Sequence, residues 1–514
     1  MARTRLPGSG HRMTSESALD APSPGVSARA RRHQRLYPLM LATALATAML
    51  ATRLWGLTHS LWWDEAYTAW AYISRPGAIR DPDSYLGNNH VLFSWLSHHT
   101  TELTGSTWEP VIRFWSVVPG LVATGILVTW LWRRVSVHLA LVTLGLLYVS
   151  ELHARHVPEA RGYGLVLLGS TLLIVAGVEA SRPRPPRSGD VAFVAGGAIG
   201  VAAIPTLAVA AIPQGLTALV RRGERRVRLA ALGVVSGLVL AAWYWPLREP
   251  MLHYRASVGS RTGDSVTLWN LFTLPLEHLG VQPTSTLLSG RPGLFTLVAT
   301  ALLFALGVHN LVVNHRDLGL QVVAGLIGSM VMLGLLGIHI ETRYVFFLLP
   351  HVVLAIAAGM LRIAHAAMSR LPSRLAVLLL TLLVVIATAR GTSDVVDERR
   401  LPRQAFANSV EAVMASGVDR LYTDRLHIGF RWYLGDEASD VITFESDAPH
   451  HEICRTSGSA AYLPYPGHTS LPSCLDGDPW QYINPPSRFE TPVWIRVEGL
   501  DEGARDNASD EPGR

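Results

Sequence analysis

Long apolar segments recur along this chain, and arginine clusters separate them. No other feature limits the fold so strongly. A segment of about 20 apolar residues can cross a bilayer as a helix. In hydrocarbon only helices and closed barrels satisfy their own backbone. The segments run from about Leu36 to Leu50, Val111 to Trp132, Val137 to Ser150, Tyr163 to Val178, Val191 to Val220, Leu229 to Trp245, Leu294 to Val313, Gly319 to Gly337, Tyr344 to Leu361 and Leu375 to Ala389. The stretch from Val191 to Val220 has arginines on both sides, so two short crossings hinged near Pro205 keep both clusters on one side of the membrane. The total is about eleven spans.

Charge sets the expected orientation. The chain is 49% hydrophobic and 16% charged, and its basic residues are arginines alone. Soluble domains are charged at about a quarter of positions. The formal surplus of +5 is scattered between apolar segments and forms no basic stripe, which reads as membrane topology and excludes a nucleic-acid partner. Residues 1–35 read as a disordered cytoplasmic tail ending in RARRHQR, and the first span follows with its N-terminus inside. Arg133-Arg134, SRPRPPRS, RRGERRVR, His315-Arg316 and Arg370–Arg374 then mark the cytoplasmic side. An odd number of spans leaves the C-terminus outside. The composition, rich in Ala, Val, Gly and Arg, suits a bacterial genome and so a bacterial plasma membrane.

From about Gly391 the pattern changes. VDRLYTD, DVITF and TPVWIRVEG alternate as strands, and HIGFRWYLGD reads as a short helix. The expected fold class is therefore a polytopic α-helical membrane protein, 36–390, with a small extracytoplasmic α/β or α+β domain, 391–500. A polar tail, 501–514, follows. Cys454 and Cys474 are the two cysteines; on an extracytoplasmic domain they would pair as a disulfide.

Two connections exceed what a turn needs, 56–110 and 247–292, and long loops in compact domains tend to carry function. The first begins with LWWDEAYTAW, in which Asp64 and Glu65 sit among Trp62, Trp63, Tyr67 and Trp70. Trp and Tyr gather at the membrane–water boundary, and acidic side chains at that depth are costly. On this topology four charged clusters share the external face. They are Asp64–Glu65; His153, Arg155, His156, Glu159 and Arg161; the arginines after residue 247, including Arg255; and Glu341, Arg343 and Tyr344. Carboxylates beside arginines suit a substrate with a lipid-borne phosphate. A carboxylate can take the proton of an acceptor hydroxyl. The planar guanidinium binds phosphate bidentately.

Each group also has a structural reading. Arg161 and Arg343 could snorkel from helix ends, and Arg343 could pair with Glu341. His90, His153 and His156 could be metal ligands, but none of these pairs has the one-face spacing of a zinc helix with a matching carboxylate. Asn88, Asn89 and His90 could be turn residues.

The same segments resemble the GT-C superfamily of polytopic glycosyltransferases, with protein O-mannosyltransferases and lipid A aminoarabinose transferases the nearest types. LWWDEAYTAW resembles the superfamily's acidic first-loop motif. YLGNNHVLFSWLSHH resembles the segment after it, with Val91 where proline is common. PEARGYGLVLL resembles its Glu-x-Arg-x-Tyr segment, and ETRYVFFLLPHVVL its late Arg-Tyr segment. The resemblance covers about residues 36–390. It implies a polyprenyl-phosphate sugar donor and inverting transfer to an extracytoplasmic glycan, lipid or protein acceptor, without a cofactor or metal. It implies Asp64 as base, with Glu65 supporting it or binding acceptor. Arg161, Arg343, Tyr163, Tyr344 and Arg255 would hold the donor phosphate. Asn89, His90, His156 and Glu159 would face sugar or acceptor. A transporter or flippase for a lipid-linked sugar is the alternative, and it predicts pseudo-symmetric halves and broken helices near the midplane. A non-catalytic membrane scaffold displaying the tail domain would leave the four charged clusters unexplained.

Overall fold

The computed structural model describes residues 28–87, 89–182, 187–221, 226–253, 291–336, 342–368, 396, 406–418, 420–423, 432–434, 443–446, 460–463, 480–483 and 493–496. The expected last span, Leu375–Ala389, the loop residues Arg255 and Arg261, Glu341, both cysteines and the terminal tail lie outside them. So does most of the leading tail.

The membrane domain is a bundle of helices: α1 (Ala28–Leu54), α4 (Glu109–Arg134), α5 (Val137–Val149), α7 (Tyr163–Ala180), α8 (Arg187–Ala203), α9 (Ala208–Arg221), α10 (Arg226–Tyr244), α11 (Arg291–Asn314), α12 (Arg316–Val323), α13 (Ser329–Leu336) and α14 (Leu349–Met368). Shorter helices lie in the connections: α2 (Trp63–Thr68), α3 (Val91–Thr104) and α6 (Glu151–His156). Among the described residues six helical stretches are long and apolar enough to cross a membrane, and three more are shorter and apolar. One expectation needs adjusting and another holds. The basic run before Leu36 belongs to α1 and is no part of a disordered tail, because arginine and glutamine propagate a helix readily. Val191–Val220 breaks near the expected proline, with a 3₁₀ turn at Pro205–Leu207 between α8 and α9.

Small residues bring the helices together. A Cβ on Gly164 of α7 would lie 1.7 Å from the backbone carbonyl oxygen of Ser116 on α4, so only glycine allows that approach. Gly307 of α11 and Gly359 of α14 meet in the same way, each against the other helix's backbone. Lipid offers helices no hydrophobic drive to associate, so backbone-close packing at small residues carries more of the association.

α14 is preceded by a 3₁₀ stretch, Thr342–Leu348, whose backbone departs from helical geometry at Val345. Non-helical backbone at membrane depth must find other partners. Ser170 Oγ donates to the Phe347 carbonyl at 2.6 Å, and Thr206 Oγ1 donates to that of Tyr344 at 2.8 Å. These two hydroxyls fix the segment that carries Arg343.

The C-terminal domain pairs α15 (Phe406–Ala415) with a five-stranded sheet: β1 (Arg420–Thr423), β2 (Thr443–Ser446), β3 (Ala460–Leu463), β4 (Trp480–Ile483) and β5 (Val493–Arg496). The order is β2-β1-β3-β5-β4; β1 runs parallel to β2 and β3, and β5 antiparallel to β3 and β4. Its core of Phe406, Val410, Val413, Leu421, Ala461 and Ile495 packs against Trp63 and Tyr433. The small domain therefore sits on the residue that precedes Asp64.

Candidate active site

The α2 helix opens the site. Its first turn carries both acids, where the helix dipole favours negative charge. Consecutive positions on a helix point in different directions, and here the two carboxylates part company.

Asp64 lines a cavity of about 230 Å3 together with Trp63, Tyr67, Leu86, Gly87, Arg161, Arg343 and Tyr344. Its Oδ2 accepts from Arg161 Nη1 at 2.9 Å and from Arg343 Nη1 at 3.4 Å. Two guanidinium groups therefore share one carboxylate oxygen. With one acid and two arginines, the lining carries a net positive charge. Tyr344 lies under the Arg343 guanidinium and Tyr163 near that of Arg161, at 5.3 and 5.2 Å from the ring centroids.

Glu65 faces away from the cavity. It forms a fork-to-fork ion pair with Arg113 of α4, at 3.0 Å from Nε and 2.7 Å from Nη2. It also accepts from the backbone N–H groups of Ala160 at 2.5 Å and Trp62 at 3.2 Å. Arg113 Nη1 donates to the carbonyls of Leu57 and His59. This pair is almost fully buried and staples the first loop both to α4 and to the loop that carries Arg161.

The remaining expected residues support Arg161 from beneath. His90 Nε2 accepts from Arg161 Nε at 2.9 Å. Burial, then the neighbouring Arg161 charge, hold the His90 imidazole well below the ordinary histidine range, so it stays neutral and keeps that lone pair. The rings of His90 and His156 pack on Tyr163, and His156 also packs on Phe346. His156 Nδ1 and Glu159 Oε2 are 3.0 Å apart. Asn89 Nδ2 donates to the Ile79 carbonyl at 2.8 Å, and its Oδ1 accepts from Ser94 Oγ, so it ties the 3₁₀ turn Pro76–Ile79 to the start of α3. Neither Asn89, His156 nor Glu159 lines the cavity. His153 belongs to a separate buried group: Arg53 Nε donates to its Nδ1 at 3.0 Å, and Thr124 Oγ1 lies 3.2 Å from its Nε2.

Three residues here had gone unread in the sequence. Arg113 sits one turn inside a span and Arg53 at the end of another, and an arginine at such depth needs acceptors. Tyr433, from the C-terminal domain, accepts from Leu61 N–H at 2.5 Å and lies 3.1 Å from Glu109 Oε1.

No protein-family model matches the sequence, and no curated protein matches it. Solved structures do. The chain resembles ArnT from Cupriavidus metallidurans in the apo state, at 13% identity and TM-score 0.54, over 90% of this chain and 98% of that one. It resembles the same protein bound to undecaprenyl phosphate, at 12% identity and TM-score 0.53 over the same shares. The Archaeoglobus fulgidus oligosaccharyltransferase, in complex with Zn and sulfate, matches at 11% identity and TM-score 0.50, over 82% of this chain and 68% of that one. Both neighbours are GT-C proteins, and this chain shares the GT-C fold that its loop motifs resemble.

Proposed function

We propose that the protein is an integral-membrane glycosyltransferase that moves a sugar from a polyprenyl-phosphate donor to an extracytoplasmic acceptor, with inversion at the anomeric carbon. One observation carries this reading: Arg161 and Arg343 converge on Asp64 Oδ2 inside a cavity of net positive lining. Such a site suits an anionic phosphate and holds a carboxylate within reach of it. The undecaprenyl phosphate bound to the ArnT neighbour supports the same donor class.

In this mechanism the donor phosphate competes with Asp64 for the two guanidinium groups. Fork-shaped, permanently charged donors suit that exchange. Asp64, released, accepts the proton of an acceptor hydroxyl. The hydroxyl oxygen attacks the anomeric carbon from the face opposite the phosphate. The bond from that carbon to the phosphate oxygen breaks, and polyprenyl phosphate leaves with the electron pair. Arg161 and Arg343 stabilise the charge that gathers on the departing phosphate, an effect that is strong where the donors are already in place. His90 holds Arg161 in position, and the Glu65–Arg113 pair holds the backbone on which Asp64 sits. Glu65 thus acts as a positioning residue.

The test is transfer of label from radiolabelled polyprenyl-phosphate sugars into membrane acceptors, in a host lacking the protein and again with the protein restored. Label incorporated on restoration supports the proposal. No incorporation from any donor, with labelled lipid still crossing the membrane, would support a transporter.

A further inference from the structure

The second half of α3 carries a cluster that the proposed reaction does not use. His98, His99 and Glu102 bring two imidazoles and a carboxylate together, with one ligand atom from each within 4.8 Å of the others. None of them lines the cavity around Asp64. His98 and Glu102 stand four residues apart and His99 and Glu102 three, so the Glu102 carboxylate lies between the two rings, one buried and one exposed.

The hydrogen bonding of His98 gives the cluster its chemistry. Its ring is buried, and Nδ1 lies 2.7 Å from the carbonyl oxygen of Ile73. A carbonyl only accepts, so Nδ1 carries the hydrogen. In the neutral ring this leaves Nε2 with its lone pair, aimed at Glu102 Oε1 from 3.2 Å. The other carboxylate oxygen, Oε2, faces His99 Nδ1, also at 3.2 Å. Trp95 fixes the His99 ring edge-to-face, with centroids 4.5 Å apart. Imidazole nitrogens and carboxylate oxygens at that spacing can share a cation as well as a proton. Two ligands on one tetrahedral zinc, each bonded at about 2.0–2.1 Å, lie about 3.3 Å apart. A histidine whose second nitrogen donates to a backbone carbonyl is also the usual arrangement around a metal, because that bond fixes tautomer and ring direction.

We propose that His98 Nε2, His99 Nδ1 and Glu102 form a site for a zinc-class divalent metal ion, with water completing the tetrahedron on the exposed side. The donor set, two nitrogens and a carboxylate, suits zinc and excludes the hard cations that prefer all-oxygen cages. Through the His98–Ile73 bond the ion would clamp α3 to the π-helical turn Ala69–Ile73, which continues directly from α2 and Asp64. The site is therefore a structural clamp beside the candidate active site and takes no part in the transfer step.

The test uses the full-length protein in detergent, stripped with chelator and titrated with Zn2+ alone. Bound zinc is measured by mass spectrometry and by competition with a chromogenic chelator, and Co2+ substitution reports the geometry. Wild type is compared with His99→Ala and Glu102→Gln, whose side chains are 46% and 59% exposed, and with His365→Ala as an exposed control on α14. The expected result is tight zinc binding and a higher melting temperature with zinc in wild type and His365→Ala. Affinity should fall at least tenfold, and the thermal gain should vanish, in both cluster variants. Equal zinc binding in wild type and both cluster variants, or no tight binding in wild type, would overturn the proposal and leave Glu102 as an ion-pair partner of the two histidines.

Discussion

Arg161 and Asp64 are joined across 97 residues of sequence by a 2.9 Å contact between Nη1 and Oδ2. The arginine is nearly buried, and the aspartate opens onto the cavity. In the proposed reaction this ion pair, which links a first-loop carboxylate to the segment before α7, is exchanged for the donor phosphate.

Arg343 is the more exposed of the two cations, and its bond to Asp64 is the longer. Arg343→Ala should weaken binding of a polyprenyl-phosphate donor by about tenfold, near 1.4 kcal/mol. Arg343→Lys should recover little of it, since an ammonium cannot form a two-pronged contact. Donor affinity measured by titration checks this; equal affinity in all three forms would remove Arg343 from the phosphate site.

The Glu65–Arg113 pair should matter to folding before it matters to rate. Removing one partner of a buried ion pair strands the other, at a cost of about 3–5 kcal/mol. Arg113→Met is therefore expected to lower the thermal unfolding midpoint in detergent strongly. A variant as stable as wild type would contradict the staple.

Acidification should destabilise the protein through His90. The folded site keeps this imidazole neutral, chiefly by burial and then by the Arg161 charge. The unfolded chain takes up a proton near pH 6.5. Below that pH the unfolded state binds more protons, so stability is lost as pH falls. His153, lowered by burial and by Arg53, acts in the same direction. Unfolding midpoints measured from about pH 7 to about pH 5 should fall, and His90→Gln should reduce the slope. An unchanged slope would exclude His90.

Tyr433→Phe removes the phenol that meets both Leu61 N–H and Glu109. Each lost bond is worth about 1 kcal/mol. The expected outcome is a severalfold lower turnover with donor affinity unchanged, because Tyr433 holds the loop before Asp64 and touches no part of the cavity. A change confined to donor affinity would count against that role.

Much of this arrangement was legible in the chain. The apolar segments, the break near Pro205 and a shared face for the charged clusters follow from hydropathy, proline chemistry and topology, while the resemblance to GT-C proteins singled out Asp64, Arg161 and Arg343 among them. The different fates of Asp64 and Glu65 did not, because adjacent acids look alike until a helix turns one towards the cavity and the other towards Arg113. Arg113 could have been found, since an arginine one turn into a span demands a partner. Tyr433 could not: it meets Leu61 across 372 residues, with no local signal. Asn89, given both a turn role and a sugar or acceptor role from the sequence, donates to the Ile79 carbonyl and so holds a turn. The His98, His99, Glu102 pattern lay in plain view, but its meaning depends on the Ile73 carbonyl, which only the fold supplies.

In the proposed reaction Asp64 takes the acceptor proton. The most direct measurement compares wild type with Asp64→Asn in label transfer from the active polyprenyl-phosphate sugar, with donor binding and thermal stability followed in the same preparations. Asparagine keeps the shape and an oxygen for the two arginines. Transfer should fall by about 10²- to 10⁴-fold, with donor binding at least as tight as in wild type, because the phosphate no longer competes with a charged carboxylate for the two arginines. Full transfer by Asp64→Asn would contradict it and remove Asp64 from the role of base.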